Sequence, residues 1–180
     1  MARILITGMS GAGKSSLLIE LAQRGHTTID TDEAGWTTSH GLWDEARMAA
    51  LLASHSDIVI SGTVENQGRF YDRFEHVILM SAPIEVLLER VTHRTNSPYG
   101  KTAAEQADIR RYTVDVEPLL RRGASHELDA RRPVIDLADE VTASLAPGDA
   151  IDLPQPDGST MRLRRIAAGR TRRPPTSQVP

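Results

Sequence analysis

The stretch Arg3-Ile4-Leu5-Ile6-Thr7-Gly8-Met9-Ser10-Gly11-Ala12-Gly13-Lys14-Ser15-Ser16 decides the fold. Residues 3–7 form a short apolar run with β-branched members, which reads as a buried strand ending at Gly8. From Lys14 to Arg24 the apolar positions Leu17, Leu18, Leu21 and Ala22 recur at helical spacing, and Gly25 follows as a stop. Between strand and helix, Gly8 to Ser15 fits G-x-x-x-x-G-K-[ST] without a mismatch. Glycines let such a loop fold around a phosphate chain with its N–H groups turned inward, and the helix N-terminus adds positive potential. Lys14 is placed to reach the β- and γ-phosphates, and Ser15 to offer its hydroxyl to Mg²⁺. Gly8, Ser10, Gly11, Ala12, Gly13, Lys14, Ser15 and Ser16 are therefore candidate nucleotide-binding residues.

Working outward, strands and helices alternate. Residues 27–30, 57–61 and 76–81 read as strands; residues 42–54 and 83–94 read as helices. A helix is expected from about 103 to 122, with Pro118 kinking or ending it. Residues 127–129 read as a fifth strand and residues 133–145 as a last helix. That alternation predicts an α/β, three-layer α/β/α architecture with a five-stranded parallel sheet. The pattern stops after Pro147-Gly148, so a domain over 1–147 and an extension over 148–180 are expected. Gln155-Pro156-Asp157-Gly158 suits the turn of a hairpin over 151–166, and residues 169–180 read as a disordered tail.

The chain has 180 residues, no cysteine and a formal net charge of −3. Disulfides, thiolate nucleophiles and Cys-ligated zinc are thereby excluded. No apolar run approaches the ~20 residues of a membrane span. The N-terminus enters a strand pattern at once, so a cytoplasmic protein without a leader is expected. The charge is unevenly spread: six arginines against two aspartates give residues 151–180 a charge of +4, leaving −7 for residues 1–150.

Residues 4–34, through Ile29-Asp30-Thr31-Asp32-Glu33-Ala34, resemble the start of the shikimate kinase and nucleoside monophosphate kinase group. In shikimate kinases the loop reads G-M-x-G-x-G-K-S and the second strand ends in D-x-D. The resemblance implies that Asp30 helps hold the Mg²⁺ shell and that Asp32 contacts the acceptor and assists as base. Two carboxylates at i and i+2 on a strand end also point the same way; the alternative is that either merely caps the next helix. The group also carries an arginine-rich lid. Arg90, Arg94, the turn-rich run 95–102, then Arg110 and Arg111 have that layout, with a lid expected over about 94–111. The other reading is a solvated helix face. Arg132 and Pro133 follow the fifth strand, where related kinases pack on the base.

The resemblance stops short of an acceptor. The triple glycine and R-P-L-L lid of shikimate kinases and the D-G-[FY]-P-R of adenylate kinases are missing. Ser61-Gly62-Thr63-Val64-Glu65-Asn66-Gln67-Gly68-Arg69 stands after the third strand instead. Gly62, Thr63, Asn66 and Arg69, with Arg47, are candidate substrate contacts, although Glu65-Asn66-Gln67 also suits a helix start. The guanine motif of a switch GTPase is missing, and an AAA-type motor would be larger, with a strand ending in Asp-Glu.

The implied function is an ATP-dependent, Mg²⁺-dependent kinase acting on a hydroxyl or phosphate of a small molecule, as a monomer or homodimer. Catalytic candidates are Lys14, Asp32, Arg94, Arg110 and Arg111. The alternative is a nucleotide-binding regulatory protein or slow NTPase whose basic tail binds a protein or RNA. The acidic body itself argues against a nucleic-acid channel.

Overall fold

β1 (Arg3–Thr7) is apolar without alternation because both of its faces are covered. A computed structural model of the chain describes residues 2–95, 97–145, 151–154 and 160–163, the last two stretches as backbone. After β1 come α1 (Lys14–Gln23), β2 (Thr28–Asp30), α2 (Glu45–Ser54), β3 (Ile58–Ser61), a 3₁₀ helix (Glu65–Arg73) and β4 (His76–Ser81). Then follow α3 (Ile84–His93), α4 (Ala103–Asp115), α5 (Glu117–Gly123), β5 (His126–Asp129) and α6 (Val134–Leu145). The five strands pair in parallel in the order β2-β3-β1-β4-β5.

Strand alternation sorts β1 between two cores. Ile4 and Ile6 join Leu17, Leu21, Leu137 and Val141 on the α1/α6 side. Leu5 joins Trp43, Met48, Leu52 and Phe70 on the α2 side. All three β1 residues have no exposed surface, and each such burial contributes about 1.5–3 kcal/mol. The chain runs from β1 to β2 and β3 on one side, then crosses to β4 and β5 on the other. A crevice opens where the direction reverses, beyond the carboxyl end of β1.

Two helices differ from the sequence pattern. The helix expected from residue 42 starts at Glu45, because the Asp44 carboxylate accepts the Arg47 N–H at 3.0 Å and caps it there. The helix expected over 103–122 is two helices, divided at Val116. Pro118 sits in the first turn of α5, where a missing N–H costs nothing.

The described residues 151–154 and 160–163 belong to a separate unit. In it β6 (Ile151–Pro154) and β7 (Thr160–Leu163) pair antiparallel, with Ile151 opposite Leu163. The expected turn at 155–158 and the tail from 169 lie outside the described residues. No helix among the described residues is long and apolar enough to cross a membrane.

Candidate active site

The loop after β1 curls because two of its glycines have no room for a side chain. Gly8 (φ +149°) lies against the Met80 carbonyl of β4, and Gly11 (φ +88°) backs onto the Leu87 carbonyl of α3. A Cβ at either position would collide with backbone in a conformation that L residues avoid. The loop closes through the Ala12 N–H to the Met9 carbonyl at 3.1 Å, and α1 begins directly after Gly13. Its first N–H groups have no intrahelical partner, and the residues that carry them, Lys14, Ser15 and Ser16, line the crevice.

A cleft of about 1130 Å³ opens above this edge of the sheet. One wall is the loop from Ser10 to Ser16; the floor includes Asp30, Asp32 and Glu33 at the end of β2. The opposite wall carries Arg90, His93 and Arg94 from the end of α3, then Ser97, Pro98 and Tyr99. Ala130, Val134 and Leu137 line the cleft with an apolar patch, beside Arg132.

The charged groups are held in specific states. The Lys14 Nζ donates to the Gly8 carbonyl at 2.8 Å. Burial pushes its ammonium below the ordinary lysine range, Asp32 and Asp30 oppose that shift, and Arg94 adds to it. Ser15 donates its hydroxyl to Asp30 Oδ2 at 2.8 Å, and Asp30 Oδ1 accepts the Asp32 N–H at 3.1 Å. A hydroxyl beside a carboxylate is a hard-oxygen pair of the kind Mg²⁺ selects, so these residues fit that ion. Arg94 donates from Nη2 to the Tyr99 carbonyl at 3.0 Å. Its Nε is buried with no hydrogen-bond partner among the described residues. Arg90 ties two walls together, donating to the Ala130 carbonyl at 2.8 Å and to the Gly11 carbonyl at 3.5 Å.

The structure brings Ser10 to Ser16, Asp30, Asp32, Arg90, Arg94 and Arg132 to one cleft. Gly8 stands behind the loop and Pro133 is exposed ahead of α6. Arg132 is paired with Glu140 at 2.7 Å. The remaining candidates lie elsewhere. Arg110 is exposed on α4, and Arg111 pairs with Asp108 at 2.8 Å. Arg47 stacks 4.1 Å from the Trp36 ring and donates to the Gly35 carbonyl. Asn66 spends its amide on both backbone groups of Trp43, at 2.9 and 3.1 Å. Arg69 pairs with Glu45 at 2.6 Å. Gly62 packs under Thr31 and Trp43, and Thr63 bonds to the loop at Gly8. Trp36 and Trp43 are core residues. Glu33, His93, Tyr99, Val134 and Leu137 also line the cleft; the helical period of Val134 and Leu137 is the only sequence signal for the last two, and no local pattern marks the others.

A parallel sheet with G-x-x-x-x-G-K-S at its switch point defines a P-loop nucleotide-binding α/β protein. The AAA domain family profile matches residues 4–111, and the chain belongs to that family. The match spans the phosphate loop and most of the sheet, while β3 runs into Ser61-Gly62-Thr63 rather than the Asp-Glu of an ATP-driven motor. No curated protein sequence matches the chain. Among solved structures, shikimate kinase from Acinetobacter baumannii in complex with shikimate superposes at TM-score 0.60 and 20% identity, over 80% of this chain and 92% of that one. Shikimate kinase from Bacteroides thetaiotaomicron gives 0.60 and 21%, over 79% and 97%. A gluconokinase from Sinorhizobium meliloti gives 0.53 and 20%, over 79% and 90%. These likenesses show a shared fold.

Proposed function

We propose that the protein is an ATP-dependent kinase that transfers the γ-phosphoryl group to a hydroxyl or phosphate of a small molecule. One observation carries this reading: Lys14, Asp32 and Arg94 line one cleft beside the phosphate loop. Two cations and one carboxylate at the mouth of a phosphate loop suit in-line transfer to an acceptor, where the protein supplies position and charge. The fold shared with shikimate kinase and gluconokinase supports it.

In this reading the loop N–H groups and Lys14 hold the phosphates. Arg94, which lines the cleft, is the cation that meets charge developing on the transferred group. Asp32, exposed at the end of β2, orients or deprotonates the acceptor hydroxyl. Ser15 and Asp30 hold Mg²⁺, which neutralises phosphate charge when bound. Arg94 with Ser97, Pro98 and Tyr99, between α3 and α4, serves as a cover over the cleft. The apolar patch at Ala130, Val134 and Leu137 takes the base.

An acceptor panel scored by ADP release tests the proposal. An acceptor that raises ADP release strongly, with Lys14→Ala abolishing it while the circular dichroism spectrum is kept, is the expected result. Slow turnover that responds to no small molecule, or full activity in Lys14→Ala, would sink it.

A further inference from the structure

The residue that follows Gly62 touches the phosphate loop from behind. The Thr63 hydroxyl donates to the Gly8 carbonyl at 2.9 Å and accepts the Gly8 N–H at 3.2 Å. The same carbonyl accepts from Lys14 Nζ at 2.8 Å, so both of its lone pairs are used. We infer that Thr63 is a positioning residue of the phosphate loop, holding the Gly8 carbonyl so that Lys14 is free to leave it for a bound nucleotide. The inference rests on the nucleotide-site reading of the loop, and it moves Thr63 from the acceptor side to the nucleotide side.

Behind Thr63 lies a hydrogen-bonded cluster of Thr7, Gln67 and Tyr71. The Gln67 Oε1 accepts the Val64 N–H at 3.1 Å, which fixes how the amide lies. Its Nε2 donates to the Tyr71 hydroxyl at 2.7 Å and to Thr7 Oγ1 at 3.2 Å. Thr7 Oγ1 and Thr63 Oγ1 are 3.1 Å apart. Thr63 gives its proton to Gly8, and the Thr7 hydroxyl lies within reach of both Thr63 Oγ1 and, at 3.4 Å, Gln67 Oε1. Thr7 and Gln67 are 0% and 2% exposed, which shields the cluster from water.

The consequence concerns the lysine. Gly8 is buried, and a buried carbonyl left without a donor is costly. When phosphate draws Lys14 away, Thr63 keeps the Gly8 carbonyl satisfied. Without the hydroxyl, releasing Lys14 would strand that carbonyl, and the cost would appear as weaker nucleotide binding. Thr63 therefore acts on lysine release and not on the transition state.

The test compares Thr63→Val with Thr63→Ser. Calorimetric ATP affinity and kcat at saturating ATP are measured on the full chain, with thermal melts to confirm folding. Thr63→Val is expected to weaken ATP binding by about five- to tenfold, the size of one buried hydrogen bond, with kcat little changed. Thr63→Ser, which keeps the hydroxyl, restores the affinity. Unchanged ATP affinity in a folded Thr63→Val protein overturns the inference, as does a fall in kcat without a loss of affinity. So does a Thr63→Ser protein as weak as Thr63→Val, because then shape and not the hydroxyl matters. A wild-type protein that binds no ATP overturns the nucleotide reading together with this inference. A wild-type protein that binds ATP but phosphorylates no acceptor overturns the kinase reading alone, and the Thr63 affinities still decide this one.

Discussion

The Ser15 hydroxyl donates to Asp30 Oδ2 at 2.8 Å, joining the first turn of α1 to the last residue of β2. Both oxygens face the cleft, and each orients the other before any cation arrives. Asp30→Asn keeps the shape but removes the charge. The expected outcome is a roughly 10- to 100-fold rise in the Mg²⁺ concentration for half-maximal turnover, the usual cost of losing a group that holds or orients a metal. A Mg²⁺ titration of ADP release checks it; an unchanged midpoint would remove Asp30 from the cation site.

Arg94 tests the transition-state role. Arg94→Met is expected to lower kcat by about 10²–10³-fold, the range for removing one preorganised donor, with the KM for ATP changed much less. Steady-state kinetics at varied ATP separates the two. A rise in KM with kcat intact would make Arg94 a ground-state binder.

Gly11 backs onto the Leu87 carbonyl, so a methyl group has nowhere to go. Gly11→Ala is expected to push the loop off α3, lower the melting temperature and weaken ATP binding together. Calorimetry and a thermal melt on the same sample decide it. Wild-type affinity in that variant would mean the loop tolerates displacement.

Lys101 straps the segment between α3 and α4. Its Nζ donates to the carbonyls of Thr92 and Arg94, while the Glu105 carboxylate accepts the N–H groups of Gly100, Lys101 and Thr102. Lys101→Met is expected to speed amide exchange across residues 94–102, with protection in β1 unchanged. Hydrogen–deuterium exchange reads this directly, and equal protection in both proteins would show that Glu105 alone holds the segment.

Acid should loosen the end of β5. Arg121 donates to both Glu127 oxygens at 2.8–3.1 Å and holds that carboxyl below the ordinary glutamate range. Arg131 holds Asp129 down to about 2. Both pKa values are depressed in the folded state, so the unfolded chain binds more protons in acid. Their stabilisation is complete above the unfolded carboxylate pKa values and is lost as pH falls from about 5 toward 2. Glu127→Gln should flatten the upper part of that loss in melts taken at stepped pH. A parallel curve, merely shifted, would count against the pairing.

The sheet and the phosphate loop were legible because their signals are local. Ile4 to Thr7 is an apolar run, and Gly8, Gly13 and Lys14 lie within seven residues of each other. Gly62 to Arg69 was harder, because polar side chains after a strand look alike whether they await a ligand or bond to the protein. The Asn66 amide goes to Trp43, 23 residues away, and the Thr63 hydroxyl to Gly8, 55 residues away. No window of sequence shows such partners. The arginines divide for the same reason. Arg90 and Arg94 share a helix end that the fold aims at the cleft, whereas Arg111, on the next helix, finds Asp108 one turn away.

The placement of β1 carries a cost in time. It precedes both of its neighbours in the chain and is the central strand of the sheet, flanked by β3 and β4. Ile4, Leu5 and Ile6 emerge with nothing to pair with until residues 58–81 have followed them. Parallel pairing across such separations forms late and slowly. A nascent chain therefore carries this apolar segment uncovered until β3 and β4 have been made, which is when aggregation threatens it and when a chaperone would have most to hold.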